Sequence, residues 1–170
     1  MHQVWHKPIL PPLFWLLGRY GILIPKSGHE VPCVFRVGVG YFADGQPYQQ
    51  WNRTLYFDPP IQFNTTVLYD RTLGLIGDLV GPKDFIYIVW QAAFHPPFKF
   101  TLDTTTCAFR IGKHFLWLPR WVWSLILGVV RFVQEVDEYR EDTVHIDLRL
   151  RHPWFGDVFG YSGTFRVVRV

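Results

Sequence analysis

The chain has 170 residues, enough for one domain with a sizeable hydrophobic core. Apolar residues make up 49% and aromatic residues 18%, against 18% charged, which excludes a disordered chain. The formal charge of +3 is small, and no basic run tracks along one element, which argues against a nucleic-acid partner.

At the N-terminus, Lys7 followed by the apolar run Ile9–Leu17 has a superficial likeness to a signal peptide. Pro8, Pro11 and Pro12 interrupt the run and no small-residue cleavage pattern follows, so no leader is assigned. No uninterrupted apolar stretch approaches the roughly 20 residues a spanning helix needs, and a soluble cytoplasmic chain is expected. Pro11 and Pro12 suit the first turn of a short helix carrying Leu13, Phe14, Leu16 and Leu17, capped at Gly18. Residues 19–32 are predicted as connection, so that residues 1–32 lead into a body spanning 33–170.

That body is predicted to be strands. Cys33–Phe42 places Phe35, Val37, Val39 and Tyr41 on one face; Gly38 and Gly40 thin the other, which predicts a bend or a close neighbour. Asp44-Gly45 is a hairpin turn. Tyr48–Phe57 follows, with Arg53 the odd member of the face shared by Trp51, Leu55 and Phe57. Further strands are expected over Gln62–Tyr69, Leu73–Leu79, the continuous apolar run Asp84–Phe94, Phe98–Leu102 and Thr106–Ile111. Pro119 suits the first turn of a second short helix over 119–127. Three strands then fill 129–170, the middle one alternating Val144, Ile146, Leu148 and Leu150 with His145, Asp147, Arg149 and Arg151. The fold class is therefore mainly β. It is an antiparallel meander of about 8–10 strands in one domain (1–170), closed or partly closed into a barrel, with two short helices.

A three-residue loop at Arg140–Asp142 would set Tyr139 opposite Thr143, Val136 opposite Ile146, Phe132 opposite Leu150 and Glu135 opposite Asp147. Glu135, His145 and Asp147 are then weak catalytic candidates for proton transfer or hydrolysis, with Arg149 beside them. A solvated outer face is the favoured alternative. Arg53 on its apolar face calls for a carboxylate, for which Glu135 and Asp147 are candidates.

Cys33 and Cys107 match no disulfide framework or metal motif and are read as reduced core thiols. His2 and His6 have helix-ligand spacing but stand in a terminus expected to fray, with no third ligand, so neither metal nor cofactor is expected. Trp117, Trp121 and Trp123 around Pro119 are read as a core or barrel-mouth cluster in preference to a membrane-surface anchor.

Four features resemble the bacterial domain of unknown function 4166 family. They are Trp51-Asn52-Arg53, Gly81-Pro82 before a long apolar strand, Leu118-Pro119 before a short helix, and the block HPWFGDVFGYSGTF from His152 to Phe165. Leu55 departs from the bulky aromatic that the family pattern has two places beyond the arginine. The resemblance implies domain limits and an intracellular bacterial setting. Family members stand alone or are fused to dehydrogenase-like or membrane segments, and the likeness implies no catalytic residue.

The leading expectation is a non-catalytic module binding a small apolar or amphipathic ligand in an aromatic-lined pocket, through Trp51, Arg53, Arg149 and Tyr161. An enzyme built on Glu135, His145 and Asp147 is the first alternative. An interaction domain that regulates an associated dehydrogenase or membrane protein is the second.

Overall fold

The computed structural model describes residues 1–7, 17–19, 21–70, 75–81, 86–111, 114–126, 128–137 and 140–166. The strands are β1 (Gln3–His6), β2 (Gly28–His29), β3 (Cys33–Tyr41), β4 (Pro47–Leu55), β5 (Ile61–Asp70) and β6 (Leu75–Val80). They continue as β7 (Ile86–His95), β8 (Lys99–Ile111), β9 (His114–Leu118), β10 (Val129–Asp137), β11 (Arg140–His152) and β12 (Gly156–Arg166). All twelve belong to one antiparallel sheet in the order β2-β1-β12-β11-β10-β8-β7-β6-β5-β4-β3, with β9 attached to β8. The sheet curls on itself without being closed by hydrogen bonds: β2 and β3 are its two ends.

The helix predicted to begin at Pro11 lies outside the described residues as far as position 16; residues 17–19 are helical. Pro82 and Tyr139, on which two predicted turn features depended, also lie outside them. The second helix runs Arg120–Ile126, directly after Pro119, and buries Trp123. Its end is held by His152, whose Nε2 donates to the Leu125 carbonyl at 3.0 Å while Nδ1 accepts from the Trp154 amide at 3.2 Å. Those two partners fix the neutral tautomer. Gly128 then turns the chain at φ 93°, with a Cβ there only 2.6 Å from the Arg151 carbonyl oxygen, so no side chain fits.

Three expectations are corrected. The N-terminal residues do not fray: β1 pairs with β12 from Gln3↔Ser162 to His6↔Phe159, and β2 adds to it from within the stretch predicted as connection. Short strands of four and two residues carry too little periodicity to register in a sequence. The pieces Phe98–Leu102 and Thr106–Ile111 are one thirteen-residue strand, β8. In the β10–β11 hairpin, Val136 pairs with Val144, Phe132 with Leu148, Val133 with Asp147 and Glu135 with His145. That is two residues from the expected register. The pair Asp137↔Arg140 places the turn earlier, and an irregularity between Val136 and Asp137 absorbs the difference. Because side chains alternate with period two, a two-residue slip leaves every facing unchanged, and patterning alone cannot detect it.

The facings themselves agree with the sequence. Ile146 and Leu150 are buried and His145, Arg149 and Arg151 are exposed. The concave side of the sheet holds the core, in which Phe35, Trp51 and Phe132 form a chain of rings across the interior, with centroids 5.4 and 6.3 Å apart.

Candidate functional site

β3 and β4 position the site because their inner faces outrun the body. Cys33 and Phe35 are partly buried, whereas Val37, Val39 and Tyr41 on the same face are exposed at 53%, 68% and 72%. Where this hairpin projects, the concave side opens into a cavity of about 510 Å³. Val39, Pro47, Gln49 and Tyr69 form its exposed rim; Trp90, Leu102 and Phe132 form its buried walls. Of the two glycines expected to receive a neighbour, Gly40 is covered by the Tyr48 ring and Gly38 has open space beside it.

Arg53, Asp78 and Tyr161 line this cavity and also a second, smaller one of about 80 Å³ that runs toward Leu17, Leu23 and Trp123. The three therefore stand at the floor, between the open mouth and the helix-covered end. Arg53 is 6% exposed and Tyr161 4%. The guanidinium lies 4.9 Å from the Phe63 ring centroid, 5.2 Å from Phe35 and 5.4 Å from Trp51. Phe35 and Phe63 are its direct cross-strand neighbours and Trp51 precedes it by two on β4, so the ladder itself builds this three-ring cradle. Cation–π attraction, about 1–2 kcal/mol per ring where desolvated, offsets part of the cost of burial. Nη2 donates to Thr65 Oγ1 at 3.4 Å, while Nη1 is enclosed with no partner among the described residues.

Asp78 faces the same space from β6. Its residue surface is partly open to the cavity, but Oδ1 is enclosed and has no hydrogen-bond partner among the described residues. Burial pushes its carboxyl up to about 7, against the opposing pull of the Arg53 charge and a hydrogen bond from Thr65. Burial likewise raises the Tyr161 hydroxyl, with Arg53 acting against it and Asp78 with it. The floor thus combines one free cationic donor, one carboxyl that titrates near neutrality and a buried phenol, in apolar walls.

Of the residues singled out from sequence, Trp51, Arg53 and Tyr161 come together here. Arg149 does not: it lies on the convex face, 3.0 Å from Asp147 Oδ2 and 3.8 Å from Asp157 Oδ2. Glu135, His145 and Asp147 share a shallow depression on that outer face, with Glu135 and His145 exposed. Neither carboxylate reaches Arg53, whose expected ion pair with them is replaced by the rings, Thr65 and the field of Asp78. On the same face His2 Nδ1 is 3.1 Å from Glu30 Oε1, and Thr164 Oγ1 is 2.9 Å from both His2 Nε2 and His145 Nδ1. This has the order of an acid–imidazole–hydroxyl relay, but the hydroxyl has one proton for two imidazoles and the groups are solvated. Among the described residues no cluster of three metal-ligating side chains occurs.

Sequence reasoning missed Asp78. The signal was present: in Leu75–Val80 the aspartate falls in phase with Ile76 and Val80, an odd charged member on an apolar face, as Arg53 is on β4. The strand was too short for its phase to be read.

These features define a curled antiparallel β-sheet module with an internal, aromatic-walled cavity and a charged floor. The chain belongs to the domain of unknown function family DUF4166, whose family model matches residues 1–165. No curated protein and no solved structure matches it. Among the described residues no helix is long and apolar enough to cross a membrane.

Proposed function

We propose that the module binds a small amphipathic molecule in the concave cavity, tail against the aromatic walls and polar end at Arg53 and Asp78. One observation carries this. A cavity of about 510 Å³, within the roughly 300–1,000 Å³ typical of small-molecule sites, is floored by Arg53 and Asp78, each of which keeps one enclosed polar atom, Arg53 Nη1 and Asp78 Oδ1, that none of the described residues satisfies. Buried polar groups are nearly always paired, so an unpaired donor and acceptor in one apolar cavity point to a partner from outside.

The neutral fluorophore N-phenyl-1-naphthylamine tests the reading, because Trp51 and Trp90 line the cavity and report its entry by energy transfer. One probe per chain is expected. Leu102→Trp, which adds bulk to a wall residue 5% exposed, is expected to reduce probe affinity at least tenfold with the strand circular-dichroism signal retained. Absence of probe binding to the wild-type chain, together with a bare mass in native mass spectrometry, would overturn it.

A further inference from the structure

The cavity floor constrains the chemistry of the ligand's polar end. Arg53 has one cationic nitrogen to offer, because Nη2 is turned to Thr65 and the rings of Phe35, Trp51 and Phe63 surround the rest. Asp78 presents the second free oxygen-bearing group in the same space. A ligand cation would meet Arg53 as a like charge. A dianion would leave one charge unmatched in a site of low polarity. A monoanion with two oxygens is satisfied twice: one oxygen accepts from Arg53 Nη1, the other from Asp78 when that carboxyl carries its proton.

We propose that the site takes an apolar-tailed carboxylate, bound with Asp78 in its acid form so that Arg53 and Asp78 each donate to one carboxylate oxygen. This rests on the reading of the cavity as a ligand site and adds to it the head group and a proton. The balance is simple: Asp78 keeps or gains one proton, the ligand enters ionised, and the enclosed charges are one cation and one anion.

Surrounding groups leave that proton to Asp78. The titratable side chains around the cavity are Arg53 and Tyr48 on β4, Tyr69 on β5, Asp78 itself on β6 and Tyr161 on β12. Walls from β7, β8, β10 and β11 contribute Trp90, Phe100, Leu102, Phe132, Gln134 and Leu148, none of which titrates. Burial raises the Tyr161 hydroxyl, and it also raises the thiol of Cys33 on β3, which interacts with Arg53 and Tyr161. Asp78, titrating near 7, is the group that changes near neutrality. Ligand affinity is then flat well below pH 7, where Asp78 already holds its proton, and falls about tenfold per pH unit above it, where one proton is taken up on binding.

Isothermal titration with decanoate, decanol and decylamine from pH 5.5 to 9, in buffers of different ionisation enthalpy, tests this on the wild-type chain. Decanoate is expected to bind at least tenfold more tightly than decanol at pH 6.5, with the stated pH slope and proton uptake. Asp78→Asn keeps a donor at that position and is expected to bind decanoate without the pH dependence. Arg53→Gln is expected to lose the preference for decanoate while still binding decanol, which also reports that it is folded. Decanol or decylamine binding as tightly as decanoate, or decanoate binding with no pH slope in the wild-type chain, would overturn the carboxylate assignment and leave the cavity reading standing. If none of the three binds, both fall together.

Discussion

At the residue scale, the central arrangement is an arginine buried with no carboxylate in contact among the described residues. The ring cradle explains how it is tolerated, and the aspartate opposite carries a burial cost of its own that the arginine only partly offsets. Asp78 is raised from an ordinary 3.8 to about 7, so the folded chain holds a proton that the unfolded chain releases. Below pH 4 both states are protonated and Asp78 takes nothing from stability. As pH rises through 4 to 7 the unfolded state binds fewer protons, and stability falls; above 7 both are ionised and the loss is complete. Chemical denaturation of the wild-type chain and Asp78→Asn should therefore diverge with pH. From pH 4 to pH 8 the wild type loses about 2–4 kcal/mol relative to the variant, the lower figure allowing for water on the open side of the carboxyl. A constant offset across that range would mean the carboxyl is not shielded.

At the scale of elements, β8 shows why a polar interruption need not end a strand. Asp103-Thr104-Thr105-Thr106 divides two apolar pieces in the sequence, and period-two reasoning splits the strand there. In the structure this is where β8 passes one edge from β10 to β9: pairing with β10 ends at Asp103↔Arg131 and pairing with β9 starts at Cys107↔Leu118. Hydroxyls replace the ladder across the gap. Buried Thr104 Oγ1 donates to the Val130 carbonyl at 3.0 Å and accepts from the Val130 amide at 3.3 Å; Thr106 Oγ1 donates to the Leu118 carbonyl at 3.2 Å. Thr105 Oγ1 donates at 3.0 Å to the carbonyl of Val89, where the β7–β8 register shifts. Thr104→Val would leave both main-chain groups of Val130 unpaired and should cost about 2–3 kcal/mol in urea unfolding, with Thr104→Ser near wild type. The same limit governs what was legible elsewhere. Long alternating segments such as β11 disclosed their facings, and Arg53 and Tyr161 with them. Pairings across strands, the two short N-terminal strands and the meeting of Asp78 with Arg53 depend on register and curvature, which one strand's sequence does not encode.

At the scale of the whole molecule, the sheet has a seam. Its ends, β2–β1–β12 on one side and β3 on the other, meet through side chains: the Phe35 and Phe165 rings are 6.2 Å apart at 70°, and Phe35 carries the contact on to Trp51. Beyond Phe35 the inner face of β3 is exposed, and there the cavity opens. An edge held by ring packing instead of a hydrogen-bond ladder opens at lower free energy than the middle of the sheet, where β7 is paired on both sides. The seam is thus a weak line in the fold and lies beside the entrance to the site. Phe165→Ala removes the β12 half of the ring contact and should lower global stability by about 1–3 kcal/mol, less than a fully buried phenylalanine because this one is partly exposed. Its effect should also be uneven. In native-state hydrogen exchange, amides of β3 and β4 should lose protection beyond the global change, while those of Ile86–Trp90 in β7 follow the global change alone. A uniform loss across the sheet would place the closing contact elsewhere. Selective loss at the hairpin would show that the cavity is entered by parting β3 from β12, and ligand bound against Arg53 and Trp51 should then restore protection to that hairpin first.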